Sequence, residues 1–288
     1  MPEAGNGLGA VLDNLKDMPS LPTVVAKIIG LIANPKTTAS DINAVISRDP
    51  GLVTRILKLV NSSFYGFSRR ITTITSAVVI LGFSKVRDIA LSSFVFDSFV
   101  GGPGSRRAVL DGLWRHSLGA ALFCSAITRR IDPKGEEDAF IRGLLHDLGK
   151  FVMIRGAPED ARKVLDLTAR EENLLCLEAE RRSLSYDHAE LGAAVLERWN
   201  LPAMTVEVVR RHHDPLAAPN EMKLPTCVAN LSDILARTFL MGDPGDTAIP
   251  ALSPLVRERV GLGWPDLEAL SRQVAAEYTK SGSFMGNN

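Results

Sequence analysis

The chain holds five histidines, His116, His146, His188, His212 and His213, all in its later part. Each stands on or beside a stretch whose apolar residues recur at helical spacing. His146 is followed directly by Asp147 in "GLLHDLGK", and another carboxylate, Asp233, interrupts the apolar run "VANLSDILAR". Neutral imidazoles and carboxylates without thiolate partners suit an ion of the Fe, Mn, Zn or Mg type rather than a structural cysteine-based zinc site. Two such ions about 3.5–4 Å apart activate water and clamp the oxygens of a phosphoryl group. A carboxylate bridges two ions and an imidazole does not, which makes Asp147 the natural bridge. Helical neighbours point about 100° apart, so His146 and Asp147 converge only on an ion lying over the helix edge between them. The residues taken singly also permit a plainer reading. A lone His on an apolar face is more often a hydrogen-bonded core or surface residue than a ligand, and His212–His213 in "RRHHDP" fits an exposed helix end.

The elements that must position these groups are helices, because helical spacing runs through most of the chain and period-two alternation is nearly absent. The expected class is all-α, a multi-helical fold. In "LPTVVAKIIGLIANP", Val24, Val25, Ile28, Ile29 and Ile32 form one stripe that ends at Asn34–Pro35. A second helix is expected from a Ser40 cap, with Ile42, Val45 and Ile46 inward. A third begins at Pro50, where the missing N–H costs nothing. After the loop "SSFYGFSRR", helices around "ITSAVVILGF" and "SKVRDIALSSFVFDSFV" complete an N-terminal half. "GGPGSRR" at 101–107 marks the expected boundary, dividing the chain into 1–105 and a site-bearing half at 106–288. Beyond it, 113–127 carries a strong stripe, "DPKGEED" reads as a solvated loop, and one helix is expected to hold both His146 and Asp147. Further helices are expected at 158–171, 174–182, 187–199, 202–212, 221–240 and 264–279. "MGDPGDTAIPALSP" reads as a loop and "SGSFMGNN" as a fraying tail.

Hydrophobic residues at 45% and charged ones at 23% are ordinary for a globular protein. Lys plus Arg equals Asp plus Glu, 33 each, so no overall field recruits nucleic acid or anionic lipid. Cys124, Cys176 and Cys227 lie far apart among apolar neighbours and are expected to be buried, reduced thiols. No basic and apolar leader opens "MPEAGNGLGAVLDNL", and no apolar stretch approaches the roughly 20 residues that span a bilayer; the expected location is the cytoplasm. The pair 41–48 and 50–60 has helix-turn-helix proportions, yet Arg48, Arg55 and Lys58 against Asp41 and Asp49 make a thin footprint for phosphate. Core packing is the expected role of that pair. The double arginines read as solvated helix ends, although Arg210–Arg211 stands where it could meet an anionic ligand. No P-loop, dinucleotide-binding glycine turn or nucleophile elbow occurs, nor the βα alternation of a receiver domain.

In their order, the site residues resemble the HD superfamily of metal-dependent phosphohydrolases. His116 matches its first His, His146–Asp147 its doublet and Asp233 its last Asp. His188 in "DHAELGA" and His212–His213 in "RHH" resemble the added histidines of the binuclear HD-GYP phosphodiesterases. Lys150 matches the Lys of their HDxGK motif, which helps hold substrate phosphate. The earlier half resembles the HDOD domain, the HD-related output domain of bacterial signalling proteins. Its marks here are "MPSLPTVVAKIIGLI", "DPGL", the "NSSFYG" turn and "AVVILG", and the likeness runs from about residue 13 to 213.

The resemblance implies a divalent metal, binuclear if both sets of ligands are used, with Asp147 and Lys150 as the residues of any catalysis. Two departures bear on this. The HDOD family is regarded as largely non-catalytic with ligands often lost, whereas this chain keeps the set; and "PLAAPNE" follows "HHD" where HD-GYP enzymes carry Gly-Tyr-Pro. The expected function is therefore a metal-binding regulatory output protein, weakly catalytic or not at all, that works through a signalling protein partner or a nucleotide-type ligand. The alternative is a phosphohydrolase acting on a nucleotide or cyclic dinucleotide.

Overall fold

The computed structural model describes residues 7–14, 19–101, 104, 106–245 and 248–281. Among them every regular element is helical, as the apolar spacing requires. In chain order the helices are α1 (Leu8–Asn14), α2 (Thr23–Ile32), α3 (Ala39–Ile46), α4 (Pro50–Val60), α5 (Ile74–Leu81), α6 (Phe83–Val95), α7 (Arg107–Ile131) and α8 (Ala139–Leu145). They continue as α9 (Leu148–Gly156), α10 (Pro158–Arg170), α11 (Cys176–Ser183), α12 (His188–Arg198), α13 (Ala203–Arg211), α14 (Asn220–Thr238), α15 (Pro254–Val260) and α16 (Trp264–Lys280). Parts of "GGPGSRR" and "MGDPGDTAIPALSP", the first six residues and the tail from 282 lie outside the described residues.

The chain forms two compact units, Ser20–Ser98 with Ala276–Asn288, and Met1–Pro19 with Phe99–Ala275. The change of unit at 98/99 precedes the glycine-rich link on which the division at 105 rests. The described part of the first nineteen residues goes with the later unit, because Val11 of α1 is buried and Arg198 of α12 donates to the Leu12 carbonyl at 2.9 Å.

In the unit built on α2 to α6, Ile28, Ile42, Ile46 and Ile56 are fully buried, each stabilising the core by roughly 1.5–3 kcal/mol. Thr38, not Ser40, caps α3: its hydroxyl accepts from Asp41 N–H at 3.3 Å and the Asp41 carboxylate accepts from Thr38 N–H at 2.8 Å. Asp49 caps α4 and Pro50 opens it, as expected. Asn61 holds the following turn with both ends of its amide, donating to the Leu57 and Ile71 carbonyls and accepting from Ile71 N–H, each at 2.7 Å.

The other unit is organised around α7, whose residues from His116 to Thr128 are buried. It packs chiefly on α8 and α14, while α12 packs on α9 and α13. Two elements escape the sequence pattern: "DPKGEED" winds into a 3₁₀ turn at Pro133–Asp138, and α15 is too short for its periodicity to register. Pro254 at its start and Gly261 after its end, at φ 74°, are its only sequence signals. All three cysteines are buried and form no disulfide. No described helix is long and apolar enough to cross a membrane.

Candidate metal centre

Four helices and one break bring the histidines and aspartates together. His116 projects from the middle of α7 and Asp233 from α14. His188 opens α12, behind an Asp187–Glu190 capping box, and His212 and His213 follow the end of α13. The sequence implied one helix for His146 and Asp147; instead they occupy the break between α8 and α9. That break frees the two side chains from the fixed 100° divergence of helical neighbours.

The glycines of "GLLHDLGK" explain how the neighbouring helices approach. A Cβ on Gly143 would lie 2.7 Å from the Ala120 carbonyl oxygen, so its absence seats α8 on α7 beside His116. A Cβ on Gly149 would lie 1.9 Å from the His188 carbonyl oxygen and 2.8 Å from Gly192 N, so its absence seats α9 on α12. The motif therefore supplies two site residues and the two contacts that deliver their partners.

Asp147 lies between two clusters. Its Oδ2 is 3.3 Å from His146 Nε2 and 3.7 Å from His116 Nε2, while its Oδ1 is 3.2 Å from His188 Nε2 and 3.8 Å from His212 Nε2. Asp233 Oδ1 stands 2.9 Å from His116 Nε2 and 3.8 Å from His146 Nε2. His213 Nε2 approaches His188 Nε2 at 2.8 Å. Groups that could hold a metal are thus His116, His146 and Asp147 on one side, and Asp147, His188, His212 and His213 on the other. Ligands bound at about 2.0–2.2 Å stand roughly 3–3.6 Å from one another around one ion, close to the spacing here.

Hydrogen bonding fixes which nitrogens face inward. His146 Nδ1 donates to the Gly143 carbonyl at 2.8 Å, His212 Nδ1 to the Val209 carbonyl at 2.7 Å and His188 Nδ1 to Glu180 Oε2 at 2.6 Å. With Nδ1 donating, the neutral ring turns its Nε2 lone pair toward the carboxylates. His116 Nε2, His146 Nε2, His212 Nε2 and Asp147 Oδ1 are buried and have no hydrogen-bond partner. An unsatisfied buried polar group costs about 1–3 kcal/mol, and a cation would satisfy all four. The donor set, two carboxylates and imidazoles with no thiolate, fits a divalent metal.

The charges tell the same story. Burial would raise the carboxyl of Asp147, but the adjacent His146 imidazole and Lys150 ammonium hold it well below the usual carboxylate range. Asp233, also raised by burial, is held well below by Arg237 and His116. Burial opposes protonation of His146 and His188, yet the carboxylates of Asp147 and Glu180 push each up to about 9. Burial and the neighbouring imidazoles drive His212 down to about 3. Without a cation, then, the carboxylates draw protons onto the very imidazoles that would ligate one.

All seven histidine and aspartate positions singled out in the sequence come together here. His212 is fully buried and His213 half-buried, which overturns the reading of "RRHHDP" as an exposed helix end. Lys150 is 6% exposed and donates to Asp147 Oδ2 and to the Pro244 carbonyl, each at 3.0 Å. Arg210 and Arg211 ion-pair with Glu197 and Glu207. Two residues were missed. Glu180 is buried and binds both Nδ1 and the backbone N–H of His188; its signal was a carboxylate on the inward stripe of Cys176, Ala179 and Glu180. Arg237 Nε donates to Asp233 Oδ1 at 2.8 Å, and its i,i+4 spacing from Asp233 was open to view.

Comparison with known proteins identifies the family and the fold. The family profile for the HDOD domain matches residues 18–215. An uncharacterised protein of Treponema pallidum (strain Nichols) is 31% identical over 242 residues, covering 84% of this chain and 46% of that one, so this chain spans about half of its relative. Among solved structures, an HDOD domain protein of Geobacter sulfurreducens superposes with TM-score 0.74 at 24% identity, over 96% of this chain and 95% of that one. A protein of Shewanella amazonensis SB2B with the provisional description phosphohydrolase superposes with TM-score 0.74 at 22% identity, over 96% and 97% of the two chains. Both likenesses speak to the fold.

Proposed function

We propose, for a chain that belongs to the HDOD-domain family, the role of a bacterial cytoplasmic signalling output module that holds divalent metal in the His/Asp cluster and turns over little or no phosphate ester. The observation that carries the metal is the sharing of Asp147 between two sets of potential ligands, among which His116 Nε2, His146 Nε2, His212 Nε2 and Asp147 Oδ1 are buried and unsatisfied. His116, His146, Asp147 and Asp233 would hold one ion, and Asp147, His188, His212 and His213 a second, of the Fe, Mn, Zn or Mg type. Metal there would neutralise the carboxylates and, in an open site, polarise a phosphoryl oxygen.

Weak catalysis follows from what the chain's own groups are doing. Asp147 is 0% and Asp233 1% exposed, so neither stands at an open cleft. Lys150, the group expected to hold substrate phosphate, is buried and committed to Asp147 and the Pro244 carbonyl. A regulatory protein has a use for a metal that stabilises one packing of these helices, because binding the folded state alone shifts its equilibrium. The complete ligand set with Lys150 beside Asp147 supports the second reading, a metal-dependent phosphohydrolase acting on a nucleotide or cyclic dinucleotide. Hydrolysis assays with Mn²⁺ or Fe²⁺ and a cyclic dinucleotide separate the two. No turnover above that of Asp147→Ala is expected; rapid turnover abolished by that substitution would establish the second reading instead.

A further inference from the structure

Overall neutrality conceals a separation of charge. Between Ser20 and Ser98 nine Lys and Arg stand against four Asp and Glu, so this stretch is basic while the rest of the chain is acidic. Its surface carries a groove of about 880 Å³, with Val53, Leu57, Phe67 and Ile71 as apolar lining and Lys58 and Arg70 as its cations. Val53 and Leu57 are one turn apart on α4 and form a ridge along the helix. Phe67 is 40% exposed and offers apolar surface at the groove. Arg70 and its neighbour Arg69 are exposed and have no ion-pair partner among the described residues.

These features select an occupant. An apolar ridge beside unpaired guanidinium groups complements a helix with one apolar face and carboxylates along its border. Nucleic acid fits less well: a few cations give few phosphate contacts, and one face of Phe67 is already stacked on Tyr65 at 6.2 Å and 3°. We propose that this groove docks an acidic amphipathic helix of a partner protein, with apolar residues at helical spacing over Leu57 and Phe67 and carboxylates at Lys58, Arg69 and Arg70. The proposal rests on the output-module reading only in assigning the chain a protein partner, and it makes no use of the metal.

A display library of helical peptides panned on the full chain tests it, with Phe67→Ala/Arg70→Glu as the counter-target and Arg70→Glu alone as a second, milder variant. Both substitutions alter exposed side chains, and unchanged melting and metal content in the same samples confirm the fold and keep the metal question separate. The expected winners are acidic, carry apolar residues at i, i+3/i+4 and i+7, and bind the double variant at least tenfold more weakly, with a smaller loss in Arg70→Glu. Selections that yield no peptide distinguishing wild type from either variant would overturn the proposal. So would winners without acidic residues, or winners displaced equally well by a single-stranded oligonucleotide.

Discussion

Between Ser20 and Ser98 the fully buried positions are Ile28, Ile42, Ile46, Ile56 and their apolar neighbours, with Asp88, Ser92 and Ser93 as the buried polar side chains. Between Phe99 and Ala275 the interior takes in four imidazoles, the carboxylates of Asp147, Glu180, Asp187 and Asp233, the guanidinium groups of Arg142 and Arg237, and the ammonium of Lys150. The first interior is stabilised by removing apolar surface from water, which needs no further component. The second gathers groups that are costly to bury unless each is paired, and several inward-facing atoms of its imidazoles and Asp147 have no partner within the protein. The first core is mainly apolar and self-sufficient; the second, on the function proposed above, is completed by metal.

Completion should have the largest effect. Metal at 1,000 times its Kd would stabilise the folded chain by about 4 kcal/mol, so chelator is expected to lower the melting temperature by on the order of 10 °C. Calorimetry with and without chelator reads this, and Asp147→Ala should melt at the low value in both. Ile56→Ala, in the self-sufficient core, should cost about 2–5 kcal/mol while leaving metal affinity unchanged; a drop in affinity would erase the distinction between the two interiors.

Gly149→Ala is the corresponding packing change in the other interior. Its methyl would fall 1.9 Å from the His188 carbonyl oxygen, so α9 and α12 must part, at a cost of about 1–3 kcal/mol. Unlike Ile56→Ala, it should weaken metal binding as well, measurable by competitive chelation. Glu180→Gln leaves the packing in place but loosens the hold on His188 Nδ1, and a 10–100-fold loss of metal affinity is the expected size for such a change. Retained affinity would show that Glu180 serves the fold alone.

The smallest effect is a proton count. His146 and His188, pushed up to about 9, are protonated at pH 7.5 in the metal-free chain, and ligands must be deprotonated to bind. Metal binding at pH 7.5 should therefore release protons, with the release fading as pH rises past about 9. Titration calorimetry in buffers of different ionisation enthalpy reads it, and no release at pH 7.5 would place the metal away from these two rings.

The clustered histidines and aspartates were legible in sequence because their types are rare here and their order matches a known family. What could not be read was their geometry. The break at His146–Asp147 leaves no mark in an apolar pattern that continues from α8 through α9, and the burial of His212 depends on helices remote in sequence. Glu180 looked like any surface carboxylate because the stripe on which it lies is only two turns long. Thr38 was missed as a cap because Ser40, two residues on, is an equally good capping residue and only backbone geometry separates them. Local signals fixed where most helices lie; which residues converge was set by glycine contacts such as Gly149 against His188, which become meaningful only once the partner helix is in place.

Elemental analysis of the purified chain beside Asp147→Ala tests the central claim most directly. One to two equivalents of divalent metal in the wild-type chain, lost in the variant, is the result expected from two ligand sets that share this carboxylate. Wild-type protein without metal even after incubation with Mn²⁺, Fe²⁺ or Zn²⁺, and with melting that chelator does not move, would contradict it and leave the cluster a relic.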